Sequence, residues 1–181
     1  MDRLIAQGKI TYVGSSNFPG WSIAQANERA AASNRLGIVS EQSLYNLIER
    51  RAELEVIPAC IAYGVGLIIW SPLAGGLLAG ASNAADGRRQ SAEMQQQLEQ
   101  RSEQLQAFAA LAAEIGQTPA NVALAWLLHQ PGVVSTIVGP GSTDQMTSML
   151  DVPEIALDAQ LLAHLDELFP PCGPAPEAYA W

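Results

Sequence analysis

The sequence predicts an α/β fold built on a parallel sheet, and three observations lead there. Short segments rich in Ile and Val, or bordered by glycine, recur at Ile10–Gly14, Gly37–Glu41, Gly66–Trp70 and Val133–Val138. They suit strands buried on both faces. Helical stretches separate them, and a β-α-β-α order implies parallel strands joined by right-handed crossovers. The 181 residues are 49% hydrophobic and 15% charged, a globular composition sufficient for one core. No internal repeat or domain boundary interrupts residues 1–181, so they read as a single domain. Four such units form either half of a closed barrel or a small open sheet, and periodicity does not separate the two.

Each element has a local reason. Gly8 ends a first helix, because glycine takes a left-handed backbone without a Cβ clash. Ile10, Tyr12 and Val13 then favour a strand, and Ser16 and Asn17 follow at its carboxyl end. Ser22 to Ser33 is Ala-rich and ends near Asn34; Glu53 to Tyr63 ends at Gly64. Ala92 to Ile115 reads as one long helix, polar and then apolar, closed by Gly116. Thr118-Pro119 is a helix start with Thr as N-cap and Pro at the first helical position. Val122, Ala123, Trp126 and Leu127 give that helix one apolar face. Ser142 to Leu150 and Asp158 to Leu168 are two further helices. Ala79 to Gln90 reads as an exposed loop, and the proline-rich segment 170–176 forms no regular structure.

Composition excludes several function classes. Nine basic against 18 acidic residues leave a net charge of −9, which opposes nucleic-acid binding. The longest apolar run, Val65 to Trp70, is too short to span a bilayer, and the N-terminus lacks a signal-peptide pattern, so a cytoplasmic protein is expected. Cys60 and Cys172 read as free thiols. His129 and His164 lie on helices in no metal-ligand spacing, and the acidic pair Asp166-Glu167 reads as solvated.

Three segments offer chemistry at strand ends, where parallel α/β folds place ligands. Gly139-Pro140-Gly141-Ser142 leaves the last strand and opens a helix; a phosphate site and a plain strand-to-helix turn both fit it. It is not a GxGxxG fingerprint, since Asp144 stands at the third glycine. Trp70 precedes Ser71-Pro72-Leu73-Ala74-Gly75-Gly76 and offers either a stacking surface or a packed core ring. Gln42 closes the second strand with a donor and an acceptor, or is a solvated loop residue.

Four segments, in order, resemble one family. The stretch from Gly8 through Lys9, Tyr12, Gly14 and Ser16-Asn17-Phe18 resembles the "GK-x-RY-x-G-x-SNF" strand of the aldo-keto reductases. Gln42-Ser43-Leu44-Tyr45-Asn46-Leu47 with Glu53 and Glu55 resembles "Q-x-x-YNL-x-x-R-x-x-E-x-E". Trp70-Ser71-Pro72-Leu73-Ala74-Gly75-Gly76-Leu77-Leu78 resembles "WSPLA-x-GLL". Trp126-Leu127-Leu128 and Ile137-Val138-Gly139 with Gln145 resemble the final strand region and its adenosine-side helix. The likeness is strongest to the subgroup of potassium-channel β subunits and bacterial general reductases, and it covers essentially the whole chain.

That resemblance implies the C-terminal half of a (β/α)8 TIM barrel, strands five to eight, with a C-terminal helix and tail. A complete barrel typically takes ~250 residues. The family reduces aldehydes and ketones with NADPH and needs no metal. By position, Ser16, Asn17 and Gln42 would bind the nicotinamide carboxamide, and Trp70 would stack on its ring. Ser71, Pro72, Leu73 and Gly75 would line the pyrophosphate path with Arg88 on a phosphate, while Gly139, Ser142 and Gln145 would hold the adenosine end. Ala81, Gly141 and the pair Ser148-Met149 depart from the family's Lys, Arg and Glu-Asn, removing charged or polar contacts to the cofactor.

The family's catalytic Asp, Tyr, Lys and His lie on strands one to four, and no residue here matches them. Tyr12, Tyr45, Tyr63 and Tyr179 occupy other positions, and Lys9 is the sole lysine. The expectation is a partial domain that keeps the cofactor surface and is inactive alone. A small-molecule carbonyl substrate would enter only when an N-terminal half completes the barrel. Self-association through exposed barrel edges is expected. Two alternatives stand beside it: a non-catalytic nicotinamide-nucleotide-binding regulatory module, and an inert truncated remnant.

Overall fold

The computed structural model of the chain describes residues 1–80 and 91–174. Its order is α1 (Asp2–Ala6), β1 (Val13–Ser16), α2 (Gly20–Ala31), β2 (Ile38–Leu44), α3 (Val56–Tyr63) and β3 (Gly66–Trp70). Then come α4 (Ala92–Gln100), α5 (Ser102–Glu114), α6 (Pro119–Leu128), β4 (Val133–Thr136), α7 (Thr143–Met149) and α8 (Ala159–Leu168). The four strands form one parallel sheet in the order β1-β2-β3-β4.

The two faces of the sheet differ. Glu41 and Ser43 of β2 and Leu67 and Ile69 of β3 face the helices and are buried. On the other face, Ser40 pairs in register with Gly66, and Gly14 with Ser40. A Cβ on Gly14 would meet Ser40 Oγ, and one on Gly66 would meet Val134 Cγ2 at 2.9 Å, so these four positions form one tightly spaced row. The next row holds Ser16, Gln42, Ile68 and Ser135, and the one above it Leu44 and Trp70. Val134 is 63% exposed. Six small or polar residues, with Val134, Ile68, Leu44 and Trp70 among them, therefore line a face that parallel sheets ordinarily cover.

Strand limits follow partners rather than propensity. The first strand starts at Val13, not Ile10, because Val13 pairs with Ile38, where β2 begins, and earlier residues meet no neighbouring strand. The second extends beyond Glu41 to Leu44, because β3 continues alongside it to the Leu44–Trp70 pair. Gln42 thus lies within a strand, not in a solvated loop. The last strand stops at Thr136, although Ile137 N–H still donates to Ile69 O at 2.8 Å.

The helices show two differences. The expected single helix over Ala92–Ile115 is two, broken at Arg101. Helix α4 has no buried residue, while α5 buries Phe108 and Ala112 and Gln104 donates to Leu168 O at 2.6 Å; the chain turns where core packing begins. Helix α6 starts at the Thr118-Pro119 cap as expected, with Thr118 Oγ1 accepting from Asn121 N–H at 3.2 Å. However, residues 121–127 are buried on every side, so no polar face exists. Its Ala content lets the sheet and neighbouring helices approach all round.

Helix α8 is fastened to the loop after β2. Arg50 Nε–H donates to Glu53 Oε1 at 2.6 Å, and Arg50 Nη1 to Asp166 Oδ1 at 2.5 Å and Phe169 O at 2.7 Å. The guanidinium lies 5.1 Å from the Trp126 ring centre. Burial opposes Arg50's charge, but Glu53 and Asp166 outweigh it and raise its pKa. Asp166 is solvated as expected, with about half of its side chain exposed, and is also an ion-pair partner of Arg50. No described helix is long and apolar enough to cross a membrane.

Candidate functional site

Two places converge at the carboxyl ends of the strands. At the first, Asn17 leaves β1 with φ +56°, a left-handed conformation uncommon outside glycine. Its N–H donates to Gln42 O at 2.9 Å, and Ser16 Oγ donates to the same oxygen at 3.1 Å. Asn17 Nδ2 donates to Ser16 Oγ at 3.2 Å. From β3, Trp70 Nε1–H reaches across β2 to Asn17 Oδ1 at 2.9 Å. The Gln42 carboxamide, half-buried beside this pair, has no hydrogen-bond partner among the described residues.

Three buried polar residues brace this end from below. Glu41, fully buried, accepts from Ser43 Oγ at 2.7 Å, from Phe18 N–H at 3.1 Å and from Ser15 Oγ. Asn46 donates to Ser71 O at 3.0 Å and accepts from the N–H groups of Ile48 and Glu49. It fixes the turn after Trp70, where Ser71 takes φ +54°. Tyr45 donates to Glu53 Oε1 at 2.6 Å, and burial, with that bond, pushes its hydroxyl pKa up. Sequence reading did not single out Glu41 or Asn46 as site residues. An acid alternating with buried strand positions was the available signal for the first, and an Asn opening a turn for the second.

The second place is a cleft of about 790 Å³. Ser71, Pro72, Leu73 and Gly75 line one wall, and Gly139 and Gln145 the other. The turn at 74–79 bends sharply because Gly75 and Gly76 take φ +68° and +105°. Ser142 caps α7, its Oγ accepting from Gln145 N–H at 3.2 Å, while Gln145 Oε1 accepts from Gly141 N–H at 2.7 Å. Ser142 does not line the cleft. Nearby, Asn121 Nδ2 donates to Ser148 O, and the buried Asn121 Oδ1 has no partner among the described residues. Arg88 lies outside the described residues.

The sequence-predicted residues thus fall into two groups. Ser16, Asn17, Gln42 and Trp70 meet at the first place; Ser71, Pro72, Leu73, Gly75, Gly139 and Gln145 share the second, with Ser142 behind it. Neither histidine joins either group: His129 Nδ1 contacts Ala125 O at 2.8 Å within its own helix end, and His164 is exposed on α8. No metal-binding group of His, Cys, Asp or Glu exists among the described residues.

The sequence model of the aldo/keto reductase family matches residues 1–169. The chain is 42% identical over 178 residues to an uncharacterized oxidoreductase, YrpG, of Bacillus subtilis (strain 168), covering 98% of this chain and 55% of that one. It is 31% identical to a putative voltage-gated potassium channel subunit beta of Schizosaccharomyces pombe, with 92% and 52% covered. It is 26% identical to an aryl-alcohol dehydrogenase [NADP(+)] of Phanerodontia chrysosporium, with 94% and 46% covered. The chain spans about half the length of the curated relatives it matches. It belongs to the aldo/keto reductase family.

Proposed function

We propose that this aldo/keto reductase chain forms the nicotinamide-nucleotide-binding half of an NADPH-dependent carbonyl reductase, equivalent to strands five to eight of a (β/α)8 barrel. The observation that carries the reading is the hydrogen bond from Trp70 Nε1–H to Asn17 Oδ1 across β2. It sets a flat indole beside two carboxamides and a hydroxyl at the strand ends. A nicotinamide is a flat ring carrying a carboxamide, so this set suits it. The Asn17, Gln42 and Ser16 side chains supply donors and acceptors, and Trp70 supplies a stacking surface. The neighbouring cleft, between Ser71–Gly75 and Gly139–Gln145, has room for the rest of a dinucleotide. In this reading Arg88 meets a phosphate, and Ser142 and Gln145 hold the adenosine end.

Bound NADPH supplies the hydride that turns an aldehyde or ketone into an alcohol. The chain's own residues fix the carboxamide and hold the ring. Among the described residues none is placed to supply the proton: Tyr45 is buried and bonded to Glu53, Tyr63 is bonded to Glu28, Tyr12 stands exposed before β1, and Lys9 precedes the same strand. The 181-residue chain is therefore expected to bind NADPH without turnover. A carbonyl substrate enters when the barrel is completed by an N-terminal half. The outer edges of β1 and β4, unpaired among the described residues, are where that half or a second copy would add strands.

A fluorescence titration of NADPH against the 181-residue chain tests the reading. Saturable binding, with no NADPH oxidation by 4-nitrobenzaldehyde, is expected. Absence of binding overturns it and favours an inert remnant. Similarity to a putative potassium channel β subunit favours a second reading, a nucleotide-binding regulatory module. Binding that yields no turnover after an N-terminal half is supplied selects that reading.

A further inference from the structure

We propose that Glu41 is a positioning residue that holds the Asn17–Trp70 pair in place; its consequence for nicotinamide binding rests on the functional reading above. Glu41 is fully buried on the helix-facing side of β2, in register with Leu67 of β3 and close enough to Cys60 to act on its thiol. Among the described residues no Arg, Lys or His pairs with it. A polar group in such a place is costly unless donors converge on it. Three do, and their positions are informative. Ser15 Oγ donates from the residue before Ser16-Asn17, and Phe18 N–H donates to Oε1 at 3.1 Å from the residue after. Ser43 Oγ donates to the same Oε1 at 2.7 Å and fixes the carboxyl group. Glu41 therefore grips both sides of the Ser16-Asn17 turn from beneath the sheet.

The turn needs such a grip. Asn17 sits at φ +56°, a conformation that persists only where surrounding bonds over-determine it. Asn17 N–H and Ser16 Oγ both donate to Gln42 O, Asn17 Nδ2 donates to Ser16 Oγ, and the Glu41 bonds add a hold on each flank. On the opposite side of the sheet, the Asn17 carboxamide receives the Trp70 indole N–H. The linkage runs from Glu41 through the backbone of residues 15–18 to the Asn17 side chain and then to Trp70. A carboxyl serving only to complete the core would have no need to bond both flanks of one turn 23–26 residues away.

The test uses hydrogen exchange of the indole N–H groups by NMR, with Trp70 assigned through Trp70→Phe. Trp126, buried in the core, reports fold integrity. In Glu41→Gln, the Trp70 indole is expected to exchange at least tenfold faster, approaching Asn17→Ala, with Trp126 unchanged. Ser15→Ala retains the carboxyl group and removes one donor; about threefold faster Trp70 exchange is expected. Unchanged Trp70 exchange in Ser15→Ala, or in a folded Glu41→Gln, overturns the proposal. NADPH affinity in Glu41→Gln is expected to fall at least fivefold, while affinity for 2′,5′-ADP, which carries no nicotinamide, holds. If the wild-type chain binds no NADPH, the functional reading fails, and the exchange data still decide the role of Glu41.

Discussion

The two ends of the candidate site are built differently. At the end proposed for the nicotinamide, Asn17, Gln42 and Trp70 come from three strands and meet through bonds that span up to 53 residues. Buried Glu41, Asn46 and Tyr45 brace it, and Arg50 holds the Glu53 carboxylate that Tyr45 bonds. At the end proposed for the adenosine, Gly141, Ser142 and Gln145 satisfy one another within a single turn, and all but the half-buried Gln145 are exposed. The bonds of the first end depend on the whole sheet, whereas the cap bonds of the second are local to the start of α7, although the cleft beside them also needs the turn after β3. Damage to the core should therefore reach the first end and spare the cap bonds of the second.

The largest expected effect tests that dependence. Arg50→Ala strands Glu53 beneath Tyr45 and releases α8, and it should cost about 3–5 kcal/mol in urea unfolding. If Arg50→Ala costs less than about 1 kcal/mol, the brace is ornamental and the contrast between the ends weakens.

Next comes an alkaline limit in the core, at Cys60 of α3. Burial, assisted by Glu41, pushes the Cys60 thiol up to about 11 from 9.0. The neutral thiol is the form the fold prefers. Its contribution is complete below pH 9 and is lost as pH rises from 9 towards 11, on the order of 3 kcal/mol. Cys60→Ala should show a flatter stability profile across that window. Profiles that superimpose would remove Cys60 from the account.

A smaller change separates the ends directly. Asn17→Ala removes the acceptor of the Trp70 indole and should weaken NADPH binding by about 1 kcal/mol, roughly fivefold in Kd. Binding of 2′,5′-ADP, measured by calorimetry, should not change. Equal losses for both ligands would erase the distinction. Smallest of all, Gln145→Ala removes one bond in an exposed cap and should shift stability by no more than about 0.5 kcal/mol. Its effect on 2′,5′-ADP should exceed its effect on folding.

Much of this was legible along the chain. The alternation of elements, the Thr118-Pro119 helix start and the placement of Ser16 and Asn17 at a strand end all follow from short-range preferences. Strand limits did not, because pairing ends where the neighbouring strand ends, as at Val13–Ile38 and Leu44–Trp70. The break at Arg101 was equally hidden, since a polar helix running into an apolar one shows no breaker residue.

The sequence by itself determined the order of elements, the parallel sheet and the residues that crowd the strand ends, because backbone preference and capping act over a few residues. Tertiary structure alone decided that Glu41 lies fully buried, that Asp166 pairs with Arg50 and that Trp70 bonds Asn17. Whether an acid or an amide is solvated or committed depends on donors contributed by segments 23 to 116 residues away, and only the folded chain brings those together.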